Sequence, residues 1–378
     1  LGVRLEIVTA SWSELFPTLL EGEGDLIGAS LTATEERRDT LAFSEGYMVV
    51  RQEVVVHASN RRVKDLSDLV GMDVHVRRGT TYEARLRELQ EGGLRINLIL
   101  HEDLPTEELI RQVSELEIEA TVADTNIALL NRRYYPDVRL AFSISSPQLI
   151  AWAVQPESTE LLAEINRFFE ELKENGRFQR IHDRYYDNVD VFDYFDIKVF
   201  HQRVSSRLPN YIEAIKREAR EFSFDWRLIA AVAYQESHYH PFAVSYTGVR
   251  GFMQVTEATA AEMGIDNRLD PEQSIHAGVK FLSILRKRFE DVENDRDRLL
   301  FALAAYNVGY GHVRDAQEIA RQKGLDPNRW QSLEQTLPLL RQPEYYRETD
   351  HGYARGTEPV RYVNRILTYF DILRQQGT

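Results

Sequence analysis

The first 187 residues alternate short β-rich apolar runs with stretches whose apolar positions recur at helical spacing. Arg4-Leu5-Glu6-Ile7-Val8 alternates at period two and predicts a strand, Trp12 to Leu20 a helix, and Asp25 to Ala29 another strand. Further strands are expected at Glu53 to His57, Asp73 to Val76, Glu119 to Val122 and Leu149 to Val154, with helices such as Thr81 to Gln90 and Glu160 to Glu174 between them. Strands alternating with helices are the grammar of an α/β domain.

The pattern changes at Leu208. Strand-like runs nearly vanish, and Tyr211, Ile212, Ile215, Ala219 and Phe222 recur at helical spacing, so the second half predicts an all-α domain. Between the halves, Asp187 to His201 is rich in Asp and aromatic residues and has no clean period. The expected division is therefore 1–187, a connection at 188–203, and 204–378. The aromatic content of the connection predicts packing rather than a floppy linker.

Length agrees with two domains, since 378 residues exceed what one core usually organises. An apolar fraction of 43% with 28% charged residues fits packed interiors under a solvated surface. No run approaches the ~20 apolar residues that span a bilayer. A start at Leu1-Gly2-Val3-Arg4 rather than Met fits the loss of a precursor segment able to carry a signal or lipid anchor, so membrane contact is expected only through such a segment. The absence of cysteine excludes disulfides, thiolate metal sites and thiol nucleophiles. Residues 1–187 carry a net charge of −12 and residues 188–378 one of −2, which argues against nucleic-acid binding by either half.

The chemistry concentrates in the second half. Asp225 is a good N-cap for Trp226 to Tyr234, which is apolar on nearly every face and predicts a buried helix ending near Glu236. Desolvation and the negative end of the helix dipole both disfavour a charged carboxylate there, so its pKa should rise toward that of a general acid. An isolated Glu at a helix end would be read as solvated, but three further motifs change that reading. Gly248 to Gln254 joins flexible glycines to an amide able to bind sugar; Phe301 to Gly309 is a second buried helix with Asn307 emerging at its end; and Arg361-Tyr362-Val363-Asn364 offers a phenol to a buried carboxyl.

Glu236-Ser237, Gly251-Phe252-Met253-Gln254, Ala305-Tyr306-Asn307 and Tyr362-Val363 stand in the order and approximate spacing of the family 1 lytic transglycosylase motifs. Residues 204–378 thus resemble that lysozyme-like family throughout. The resemblance implies that Glu236 protonates the oxygen joining N-acetylmuramic acid to N-acetylglucosamine, then acts as base on the muramoyl C6 hydroxyl, leaving a 1,6-anhydro end. It also accounts for the missing second carboxylate, since ordinary glycosidases use a pair. By the same resemblance Ser237 would hydrogen-bond near the acid, Met253, Tyr306, Gln254 and Asn307 would bind substrate, and Tyr362 would orient Glu236. Phe252 stands where the family often has Leu, and Thr256-Glu257 where it usually has Met-Pro. No cofactor or metal is implied. His238 and His240 beside Glu236 lack a properly placed third ligand. Tyr246, Tyr306, Tyr310, Tyr345 and Tyr346 are divided between a sugar groove and packing.

In the first half, Gly24 to Arg37 followed by Leu41 to Tyr47 resembles the amino-acid-binding family of periplasmic solute-binding proteins. That family has two α/β lobes closing on a ligand, implying lobe one at 1–52 and 150–187 and lobe two at 53–149. The family's usual first strand and helix are expected to be missing before Leu1. Arg37 would fork onto a ligand carboxylate with help from Thr32, Gly79-Thr80-Thr81 would offer backbone N–H groups, and Asp124 would meet an α-amino group. The combined expectation is a periplasmic enzyme attached peripherally to the outer membrane, acting on peptidoglycan glycan strands and regulated by an amino acid or muropeptide stem. A non-catalytic murein-anchored receptor and a lysozyme-type hydrolase are the competing readings.

Overall fold

The computed structural model describes residues 4–102, 104–182, 186, 194–245 and 248–375, in two compact units that divide between Tyr194 and Phe195. Tyr246, among the aromatic residues considered above, and 188–193 of the expected connection lie outside the described residues.

Nine strands build the first unit: β1 Ile27–Thr32, β2 Ala42–Phe43, β3 Met48–Val50, β4 Gln52–His57, β5 Asp73–Arg77, β6 Asn97–His101, β7 Ala120–Asp124, β8 Val138–Ser143 and β9 Gln148–Val154. One sheet has β9 paired antiparallel with β1, β2 and β3, and the other runs β6-β5-β7-β4-β8. The chain passes between sheets at Arg51 and returns between Ser143 and Gln148. Val54, Val55 and Val56 of β4 are fully buried, because a central strand covered on both faces needs a continuous apolar run.

The helices of this unit are α1 Leu15–Leu20, α2 Glu35–Arg38, α3 Thr81–Glu91, α4 Thr106–Ser114, α5 Thr125–Asn131, α6 Thr159–Glu174 and α7 Arg177–His182. Three capping side chains start helices that matter below. Thr34 accepts from the Arg37 N–H, Thr80 accepts from the Glu83 N–H, and Asp225 accepts from the Arg227 N–H.

The expected strand at Arg4 to Val8 does not form. Among the described residues no strand pairs with this segment, so its backbone has no ladder to join, and Leu5 and Ile7 remain 79% and 80% exposed. Period-two alternation predicts a face, but a strand also needs a neighbour. β6 and β8 escaped the sequence reading because their side chains are mostly half-buried and show no clear alternation.

The second unit is helical: α8 Tyr194–Ser206, α9 Ile212–Glu221, α10 Trp226–Ser237, α11 Glu257–Met263, α12 Pro271–Arg288, α13 Asp295–Val308, α14 Tyr310–Gln322, α15 Trp330–Thr336, α16 Pro343–Tyr346 and α17 Thr357–Gln375. The start expected at 204 falls inside α8. Phe200 is fully buried with its ring 4.6 Å from those of Tyr234 and Tyr369, so aromatic packing draws 195–203 into this unit. Leu228 to Tyr234 of α10 are buried without a break, and α17 packs along both α10 and α13. Ala302, Ala304 and Ala305 keep α13 thin enough for that close approach.

Candidate active site

Glu236 lies in the last turn of α10. His238 caps the helix in the left-handed conformation at φ 53°, and Tyr239 follows at φ 58°. Two successive non-glycine residues in that region cost roughly 1–2 kcal/mol each. Burial offsets the strain: Tyr239 is 1% exposed and its ring lies 5.2 Å from that of Tyr234 and 6.2 Å from that of Phe252. The acid therefore sits at an abrupt stop held by aromatic packing, a role for Tyr239 that the sequence did not signal.

Tyr362, on α17, donates its phenol hydrogen to Oε1 of Glu236 at 2.5 Å. Glu236 is half-buried, and desolvation pushes its carboxyl up to about 7, against the smaller lowering effect of the Tyr362 hydrogen bond. Among the described residues, no second carboxyl or basic side chain contributes to that shift. Burial and the nearby carboxyl hold the Tyr306 and Tyr362 phenols well above their ordinary value, so both stay neutral donors.

The loop Gly251 to Gln254 is fastened from three sides. The Tyr306 hydroxyl donates to the Met253 carbonyl at 2.8 Å, the Met253 N–H donates to the Ser274 hydroxyl at 3.0 Å, and Met253 is fully buried against Gly278. A Cβ on Gly278 would come within 2.6 Å of the Met253 Cβ, and one on Gly251, at φ 99°, within 2.1 Å of the Arg268 carbonyl oxygen. Both glycines are thus set by close approach.

These contacts revise several expectations. The Met253 side chain is core, not a groove contact, because Gly278 opens the slot that it fills. The buried Ser237 hydroxyl donates to the Ala233 carbonyl of its own helix at 3.1 Å rather than toward the acid, the ordinary outcome for a serine four residues on. Gln254, at φ 48°, spends its amide hydrogens on the Ala243 and Gly251 carbonyls at 3.0 and 2.9 Å, leaving its carbonyl oxygen for a ligand. Asn307 is exposed at the end of α13. Tyr310, Tyr345 and Tyr346 make packing contacts, with Phe289, Lys323 and Tyr353 respectively.

Among the described residues, the groups able to gather metal-ligating atoms reduce to Glu218, Glu221 and His276, within 4.8 Å of one another. Glu218 already binds Arg217 at 3.0 Å and His276 at 2.7 Å. Glu236, His238 and His240 form no such group, and the His240 ring accepts from the Phe242 N–H at 3.2 Å.

A second site lies within the first unit, in a cavity of about 470 Å³ lined by residues of both sheets' ends, among them Thr32, Arg37, Thr80 and Asp124. Arg37 is 9% exposed and donates to the Thr32 carbonyl at 3.0 Å, and burial pulls its pKa below the ordinary value. Asp124 is 3% exposed, and burial raises its carboxyl to about 6 despite a hydrogen bond from Tyr82 and the charge of Arg37. One Asp124 oxygen has no partner. The Gly79 N–H expected to meet a ligand instead donates to the Glu83 carboxylate at 2.8 Å, and the Thr80 hydroxyl donates to the Arg77 carbonyl at 2.7 Å. These local bonds define the turn before α3 and leave less of it for a ligand than the sequence implied.

A family model described as the transglycosylase SLT domain matches residues 213–328, and one described as bacterial extracellular solute-binding proteins, family 3, matches residues 1–188. A protein of Desulfosudis oleivorans named membrane-bound lytic murein transglycosylase F is 56% identical over 100% of this chain and 83% of its own length. The chain belongs to the transglycosylase F family. A Pseudomonas putida protein of that name is 41% identical over 99% of this chain and 78% of its own. A solved ancestral arginine-binding protein bound to arginine aligns at 27% identity with a TM-score of 0.45, covering 49% of this chain and 81% of that one. The solute-binding-like half and the lysozyme-like helical half are thus both those of transglycosylase F.

Proposed function

We propose that this chain is a peptidoglycan lytic transglycosylase that breaks the β-1,4 bond between N-acetylmuramic acid and N-acetylglucosamine, with Glu236 as acid and then base. The observation that carries the reading is one protonatable carboxyl, raised to about 7 and hydrogen-bonded by Tyr362, with no second carboxyl coupled to it among the described residues. Glu236 gives its proton to the bridging oxygen as the C1–O bond breaks, with the substrate's N-acetyl group supporting C1. The resulting carboxylate takes the C6 hydroxyl proton, O6 closes on C1, and Glu236 ends protonated as it began. No water is consumed, so a paired carboxylate is unnecessary. Gln254 and Asn307 are the proposed acetamido-sugar contacts.

Digestion of purified sacculi followed by mass spectrometry tests this reading. Anhydro ends, one water lighter than reducing ends, are expected; reducing ends alone would make the enzyme a lysozyme-type hydrolase, and intact sacculi would leave a murein-anchored receptor.

The buried, incompletely partnered Asp124 opposite Arg37 supports ligand binding in the first unit, and the proposed ligand is an amino acid or peptide stem released from the wall that modulates cleavage. Calorimetry without heat for free amino acids, stem peptides and muropeptides would remove this part. The proposed location is the periplasm, at the inner face of the outer membrane, in keeping with relatives named membrane-bound. No helix among the described residues is long and apolar enough to cross a membrane.

A further inference from the structure

The first-unit cavity holds more recognition chemistry than an α-amino acid backbone requires. An α-carboxylate on Arg37 and an α-ammonium on Asp124 use one positive and one negative side chain. A second arginine remains. Arg77 closes β5, lines the cavity, and has its Nε cut off from solvent without a hydrogen-bond partner. Asn126 also lines the cavity, is 7% exposed, and carries an unpartnered buried carbonyl oxygen. Buried polar atoms are nearly always satisfied, and several orphans facing one cavity mark groups that wait for a ligand.

Their chemistry is complementary and separable. Asp124 and Asn126 offer acceptors, which suit the hydrogens of an ammonium; Arg77 offers a charged donor, which suits an anion. Trp12 neighbours both arginines, with the Arg37 and Arg77 guanidinium carbons each 5.9 Å from its ring centroid. Its indole N–H donates to the Gly79 carbonyl at 3.2 Å, which ties the ring in place. The cavity is therefore lined by two cations that share an aromatic neighbour. Glu107 also lines the cavity, but it is exposed and its charge is screened by solvent, whereas the Arg77 Nε is not.

We infer that Arg77 selects the ligand by its far end, so that the cavity takes an α-amino acid, free or as a peptide residue, whose side chain carries a second carboxylate. This rests on the amino-acid reading of the cavity given above and narrows it to an acidic class. A cavity of about 470 Å³ accommodates such a small dicarboxylate within the ~300–1,000 Å³ usual for ligand sites.

Titration calorimetry of the full chain with glutamate, alanine and lysine tests it. Glutamate is expected to bind about 10- to 100-fold more tightly than alanine, the range of a charged hydrogen-bonded pair, and lysine more weakly than glutamate. Arg77→Gln and Arg77→Leu should bring glutamate to the alanine level while leaving alanine within about twofold. Equal binding of alanine and glutamate, tighter lysine, or a glutamate preference that survives both substitutions overturns the role of Arg77 and leaves the amino-acid reading standing. Absence of heat from all three amino acids and from stem peptides and muropeptides removes that reading and this inference with it.

Discussion

The Tyr362 hydroxyl meets Oε1 of Glu236 at 2.5 Å although 126 positions of chain separate them. The bond favours the ionised carboxyl while burial favours the neutral one, and burial prevails. The acid thus keeps a large protonated fraction up to neutral pH without becoming so weak that it cannot release its proton.

Glu236→Gln should fold and bind glycan but lose turnover by about 100-fold or more, since an amide has no acid proton to give. Release of soluble muropeptides from sacculi measures this. Substantial activity in the variant would remove Glu236 from the mechanism.

The same substitution should alter stability in a pH-dependent way. Relative to its ordinary value of 4.5, the folded carboxyl is raised to about 7, so its contribution to stability is fully present below 4.5 and is lost as pH rises through the folded value. Glu236→Gln should therefore gain stability over the parent as pH climbs through that window and hold the gain above it. Thermal melts of both proteins across that range should diverge; parallel curves would contradict the raised pKa.

Tyr362→Phe removes a bond that lowers the Glu236 pKa, so the alkaline limb of the rate profile should move to higher pH. Loss of orientation should also reduce kcat by about 10- to 100-fold. A pH profile that falls in height but keeps its limb in place would show that Tyr362 only packs.

At the other site, burial raises the Asp124 carboxyl to about 6, beside Tyr82 and Arg37 and with Glu107 also lining the cavity. An arriving ammonium requires the ionised form, so affinity should weaken by about tenfold per pH unit well below that value. Calorimetry in buffers of different ionisation enthalpy should detect proton release on binding at pH 5 and none at pH 8.

Gly251→Ala places a methyl within 2.1 Å of the Arg268 carbonyl oxygen in a backbone region unfavourable to side chains. It should cost about 2–3 kcal/mol and lower Tm by several degrees. An unchanged Tm would mean that the loop relaxes freely.

Much of this protein follows from local sequence. The change from α/β alternation to helical period, the Asp225 cap and the uninterrupted apolar run behind Glu236 are short-range signals, because period and capping act over a few residues. Tertiary structure decided which of 18 tyrosines reaches the acid, turned Met253 inward through the gap at Gly278, and left Leu5 and Ile7 exposed for want of a paired strand. It also placed Arg77 in the cavity that contains Arg37, forty positions away in sequence. Such contacts arise when distant segments pack, and the hydrophobic pattern along one segment carries no record of what lies across from it.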